Sequence, residues 1–190
     1  VLFDFEKDLY SAEGLDTKFV GHPVLDALAE EELGRASCRE RFGVKDDEFL
    51  IGLLPGSRNK EFANLFPVMN SALNYLPGQL AGKRVKVICS IAPTLNYEEA
   101  ENLYTPGKHA IEFYPGSSRQ IAAAADFCVV ASGTATLETG VIGTPMAVVY
   151  KINPLTYALL RQLVQVEYIS LVNIVLGKGA VPELIQDDCS

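Results

Sequence analysis

The chain has 190 residues, 48% of them hydrophobic and 21% charged, which places it among folded globular domains and excludes a disordered polymer. Sixteen basic against 24 acidic residues leave a formal charge of −8, which disfavours nonspecific nucleic-acid binding and electrostatic adhesion to anionic lipid. Cys38, Cys89, Cys128 and Cys189 are scattered, form no CxxC pair and have only His22 and His109 beside them, so neither a zinc site nor a disulfide framework is expected and a reducing compartment fits.

Residues 1–45 are acidic and turn-rich, with Glu30-Glu31-Glu32 and the isolated apolar motif Phe19-Val20-Gly21-His22-Pro23, and are expected to form a linker into a domain spanning 46–190. Leu50 to Leu54 is a short apolar run ended by Pro55-Gly56 and reads as a strand. Glu61 to Leu76 places Phe62, Leu65, Phe66, Met69, Leu73 and Leu76 at helical spacing, with Pro67 marking a first turn or a kink. A strand over Val85–Ile91, a short helix over Tyr97–Tyr104 and a strand over Ala110–Tyr114 follow. The pattern then continues with a helix over Ser118–Ala125, a buried strand over Phe127–Ala131, a helix over Thr134–Val141 and a strand over Met146–Tyr150. Leu155 to Val164 reads as a buried helix, with lipid contact as the second reading. Pro182-Glu183-Leu184-Ile185-Gln186 reads as the first turn of a helix cut short, so a piece of a longer protein is expected. No apolar run reaches the roughly 18 residues of a membrane helix, because Asp126, Glu138 and Lys151 interrupt the most hydrophobic third, and the start does not read as a signal segment.

Strands alternating with helices over short connections imply an α/β fold, a Rossmann-like doubly wound parallel sheet whose ligands sit beyond the carboxyl ends of the strands. Two strand-to-helix junctions there carry chemistry. At the first, Leu54-Pro55-Gly56-Ser57-Arg58 leaves a strand and enters a helix. Free N–H groups and the helix dipole attract an anion at such a point, and Arg58 adds a guanidinium fork for phosphate. An ordinary turn with Ser57 as N-cap explains the same residues. The second junction, Ala131-Ser132-Gly133-Thr134-Ala135-Thr136-Leu137-Glu138, lets a ligand approach the backbone past small hydroxylated residues. Glu138, four residues after Thr134, shares its helix face and can reach a sugar diol beside a phosphate. Capping by Thr134 and a dipole-favoured Glu138 are the plainer account. Two such junctions in one sheet favour a nucleotide. Asn173 and Gln186 are polar points in apolar surroundings whose amides suit either a base or sugar hydroxyl, or helix capping. A dinucleotide fingerprint is missing, since Gly177-Lys178-Gly179 lacks its third glycine, and no GxSxG supports a hydrolase.

Taken in order, these pieces resemble the C-terminal half of the lipid-A-disaccharide synthases, inverting glycosyltransferases of the GT-B fold. The resemblance runs through Phe5-Glu6 with Tyr10, Phe19 to Pro23, Leu54 to Arg58 with Glu61, Ala131 to Glu138, Pro145-Met146 with Val149-Tyr150-Lys151, Asn173-Ile174 and Pro182 to Gln186. It spans nearly the whole chain and departs from the family pattern at Asp4, Phe62 and Val172. The resemblance implies transfer of 2,3-diacylglucosamine from its UDP donor to 2,3-diacylglucosamine 1-phosphate, known as lipid X, giving a β-1,6-linked disaccharide and UDP.

The same resemblance implies a donor-binding half here, with Gly56, Ser57, Arg58, Ser132, Gly133, Thr134, Ala135 and Thr136 around the diphosphate, Glu138 on the ribose, and Asn173 and Gln186 near the donor. Arg58 is the expected catalytic residue, stabilising the departing UDP, and no metal or other cofactor is implied. A missing N-terminal half would bind the acceptor, supply the general base and touch the membrane surface, giving a cytoplasmic protein peripheral to the inner membrane. No nucleic-acid partner is implied, and homo-oligomerisation stays open. Two other readings stand beside it: a UDP-sugar 2-epimerase-like enzyme of the same fold, separated by acceptor dependence, and a noncatalytic nucleotide-binding fragment, separated by turnover on restoring the missing half.

Overall fold

The structure, a computed structural model, describes residues 1–153, 157 and 167–189. Three short helices open the chain: α1 (Asp4–Ala12), α2 (Val24–Ala29) and α3 (Arg35–Arg41). The α/β alternation follows as β1 (Glu48–Leu54), α4 (Asn59–Ala72), β2 (Gln79–Leu80), β3 (Lys83–Ile91), α5 (Tyr97–Asn102), β4 (Ile111–Pro115) and α6 (Ser118–Ala124). It continues with β5 (Phe127–Ala131), α7 (Thr134–Ile142), β6 (Met146–Tyr150), α8 (Leu171–Leu176) and β7 (Glu183–Ile185).

Six strands lie parallel in the order β4-β3-β1-β5-β6-β7, and β2 folds back antiparallel on the start of β3. Strand order reverses at β1, which pairs with β3 on one side (Leu53 with Cys89) and β5 on the other (Leu53 with Val129). Such a reversal leaves a crevice at the carboxyl ends, because the connections from β1 and β5 depart to opposite faces.

Period-two alternation divides β1 between two cores. Ile51 and Leu53 face α4, where Phe62, Leu65, Phe66 and Met69 form the buried stripe. Leu50 and Leu54 face the other way, onto Ile121–Ala125 and onto Cys38 and Phe42. Gly52 lets α6 come close, since a Cβ there would lie 2.9 Å from Ile121 Cγ2 and 3.0 Å from Cys128 Sγ. Pro67 stands well inside α4, on its exposed side, rather than in a first turn.

Two expectations differ from the structure. The residues expected to be a linker contain three helices, and α3 belongs to the domain: Cys38 and Phe42 are buried, and the guanidiniums of Arg35 and Arg39 meet the Asp126 carboxylate at 2.6 and 3.1 Å. Arg35 and Arg39 are four residues apart, so one helix face carries both. The same carboxylate accepts the Leu50 N–H at 2.8 Å, fastening α3 to the start of the sheet. Pro182 to Gln186, expected to begin a helix, instead supplies β7, paired in parallel with β6, and then turns through Gln186–Cys189. Pairing with the open edge of β6 overrode a helical signal only a few residues long. The Leu155–Val164 reading lies outside the described residues except at Tyr157. No helix of the described residues is long and apolar enough to cross a membrane.

Candidate functional site

The crevice at the strand reversal is a pocket of about 420 Å³. Both junctions singled out in the sequence line it: Gly56, Ser57 and Arg58 after β1, and Ser132, Gly133, Thr134 and Ala135 after β5. Glu138 lines it as well, with Glu61 from the first turn of α4. Ser57 is not the cap of α4. The N-cap position belongs to Arg58, and no side chain caps this helix or α7, whose N-cap is Gly133. Two helix N-termini without capping side chains therefore open on one crevice, each carrying partial positive charge and donor N–H groups.

Gly56 is required by the turn. Its φ of +104° is disfavoured for any residue with a Cβ, and such a Cβ would stand 2.8 Å from Glu61 Oε2. Arg58 extends from the rim with its side chain 79% exposed and Nη1 2.6 Å from Glu61 Oε1. The pair keeps the cation at the pocket mouth, though so exposed a pair contributes little stability. Thr94, in the loop after β3, donates its hydroxyl to the Ser57 carbonyl at 2.6 Å and steadies the turn.

At the second junction the hydroxyls are not equivalent. Thr136 is fully buried and donates to the Gly133 carbonyl at 2.7 Å, so it shapes the helix start instead of lining the pocket. Ser132 donates its hydroxyl to the Ile169 carbonyl at 2.8 Å and its N–H to Val149 at 3.0 Å. Thr134 is exposed at the pocket. The Glu138 carboxylate receives two N–H groups of Arg119, Nε at 3.1 Å and Nη2 at 2.8 Å, both on Oε1. Sequence reasoning passed over Arg119. Its signal is a basic residue directly after the Gly116-Ser117-Ser118 turn that leaves β4 toward the same crevice.

Asn173 and Gln186 are placed elsewhere. Asn173 is buried, its amide donating to the Val181 carbonyl (2.9 Å) and Glu183 (2.8 Å) and accepting from Ala180 and Val181 N–H groups at 2.9 and 3.0 Å. Gln186 is buried too and pairs both backbone groups of Ile152, accepting at 2.7 Å and donating at 3.1 Å. Neither is among the lining residues of the crevice. Glu183, which accepts from the Ile169 and Ser170 N–H groups at 2.9 and 3.0 Å and from the Ser170 hydroxyl at 2.6 Å, organises the segment behind Ser132. Burial opposes its ionisation, but the hydrogen bonds from Ser170, Ile169 and Asn173 outweigh that and hold its carboxyl below the ordinary value.

The lipid-A-disaccharide synthetase family model matches residues 1–190. A lipid-A-disaccharide synthase of Syntrophus aciditrophicus (strain SB) is 40% identical over 98% of this chain and 48% of its own length. Lipid-A-disaccharide synthase 1 of Legionella pneumophila (strain Paris) is 34% identical over 100% of this chain and 49% of its own. The synthase of Myxococcus xanthus (strain DK1622) is 34% identical over 98% and 48%. The chain spans about half the length of the curated relatives it matches.

Proposed function

The chain belongs to the lipid-A-disaccharide synthetase family, and on that footing we propose that it is the donor-binding half of a GT-B hexosyltransferase. The full-length protein would transfer 2,3-diacylglucosamine from UDP to 2,3-diacylglucosamine 1-phosphate. The observation that carries this reading is the convergence of two uncapped helix N-termini, Arg58 and Glu138 on one crevice.

In the proposed reaction an acceptor hydroxyl attacks the anomeric carbon and the bond to the UDP oxygen breaks with inversion. Negative charge develops on the departing diphosphate, where preorganised donors lower the barrier most. The N–H groups opening α4 and α7 and the Thr134 hydroxyl meet it at the strand ends. Arg58 exchanges Glu61 for a phosphate oxygen with a short swing, because both partners sit at the pocket mouth. Glu138 accepts from the ribose hydroxyls. Asn173 and Gln186 act from behind, through the backbone they hold. The acceptor, the general base and the contact with the inner membrane from its cytoplasmic face are assigned to the half that lies outside this chain, as is any homo-oligomeric interface.

Titration of the full-length protein with UDP, using ADP and NAD as controls, tests the reading. Saturable binding of UDP that is lost in Arg58→Ala and Glu138→Ala is expected. A folded protein that binds the three nucleotides alike, or none of them, would refute it.

A further inference from the structure

The nucleotide reading gives no role to Arg119, a cation that pairs with Glu138 at the crevice. Arg119 sits in the first turn of α6 and joins three elements that are distant in sequence. Its Nε and Nη2 grip Glu138 Oε1, on α7, at 3.1 and 2.8 Å, while Nη1 pairs with Glu31 Oε1, in the segment after α2. Gln120, next to Arg119 on α6, donates to the other oxygen of Glu31 at 2.9 Å. Side-chain exposures of 26% for Arg119, 15% for Glu138 and 30% for Glu31 set this cation apart from Arg58, whose side chain is 79% exposed.

We propose that Arg119 is a positioning residue for the sugar end of the nucleotide, acting through Glu138, and that Glu31 holds Arg119 in place from outside the sheet. The inference rests on the proposed donor site. Both Arg119 donors fall on one oxygen of Glu138, and Oε2 accepts no hydrogen bond from the described residues, so a fixed carboxylate keeps one acceptor for a ligand. A ribose diol needs such an acceptor in one orientation, whereas a carboxylate free to rotate would lose rotamer entropy on binding. Glu31 takes up the remaining end of the guanidinium and so opposes its swing toward the phosphates.

The test compares UDP with 2′,3′-dideoxy-UDP by calorimetry in the full-length protein carrying this sequence, with thermal unfolding as the control for folding. Wild type is expected to prefer UDP, and Glu138→Gln to abolish the preference. Arg119→Gln is expected to reduce it by about tenfold, as the loss of an ordered charged hydrogen bond would, leaving dideoxy-UDP binding unchanged. Glu31→Gln shifts the preference in the same direction by less. Should Arg119→Gln fail to fold, Arg119→Lys and Glu31→Gln carry the same comparison. A folded Arg119 variant that keeps the full preference, or weakens both nucleotides equally, overturns the positioning role while the Glu138 result leaves the donor site standing. Wild type without UDP binding overturns both.

Discussion

Replacing Gly56 by alanine separates backbone strain from site chemistry. The residue sits at φ +104°, and a Cβ there meets Glu61 Oε2 at 2.8 Å and Glu61 Cβ at 3.1 Å. Holding alanine in so sparsely populated a conformation costs about 1–3 kcal/mol. For a domain of this size each kcal/mol lowers Tm by about 2–4 °C, so a fall of roughly 2 to 12 °C is expected in a calorimetric scan. Glu61 must also turn away, which breaks its 2.6 Å pair with Arg58. That pair is too exposed to add much to the stability loss, but its disturbance moves the cation at the pocket mouth, and UDP affinity is expected to fall by roughly tenfold. Adding Glu61→Ala to Gly56→Ala removes the carboxylate contact and leaves φ unchanged, so Tm recovers only in part. Gly56→Ala with wild-type Tm and wild-type UDP affinity would refute the reasoning, since neither the turn nor its contact with Glu61 would then matter.

Arg58→Ala in the full-length protein is expected to lower kcat/KM by about 100-fold or more with little change in Tm, as removal of one preorganised donor to a developing charge does; steady-state kinetics decides it. Asp126→Ala removes the acceptor shared by Arg35, Arg39 and the Leu50 N–H, and breaking so connected a pair is expected to cost about 3 kcal/mol in urea unfolding, against little change for Asp16→Ala at an exposed site. The Glu183 carboxyl titrates below its ordinary value of 4.5 in the folded protein, so its ionised form contributes stability that is present above that value and lost as pH falls through the folded pKa. Thermal scans from pH 6 downward are therefore expected to show a steeper loss for wild type than for Glu183→Gln, and parallel curves would remove Glu183 from the acid response.

The alternation of β1 and β3 through β6 with α4 through α7 was legible because these strands carry apolar runs bounded by glycine or proline, and because α4 carries its buried residues at i, i+3, i+4 and i+7. The two pocket junctions were legible for a related reason: small residues directly after an apolar strand mark the point where the chain turns into a helix at the strand end. What escaped depends on partners remote in sequence. Helix α3 looks polar until Asp126 is brought to Arg35 and Arg39. The strand β7 exists because the edge of β6 accepts it. An amide such as that of Asn173 has the same local sequence whether it meets a ligand or the Ala180 and Val181 backbone. Arg119 escaped because its two carboxylates, Glu31 and Glu138, lie far from each other in the sequence.

The clasp of α3 on Asp126 also sets a clock. Arg35 and Asp126 are 91 positions apart, and a ribosome adding about 5–20 residues per second takes roughly 5 to 18 s to bridge that interval. Until α6 and then β5 emerge, the apolar flank of α3 lacks its cover from α6 and the central strand β1 lacks its second neighbour. Through that interval a nascent chain shows an open strand edge, which makes the speed of translation between β1 and β5 a determinant of how much of it escapes aggregation.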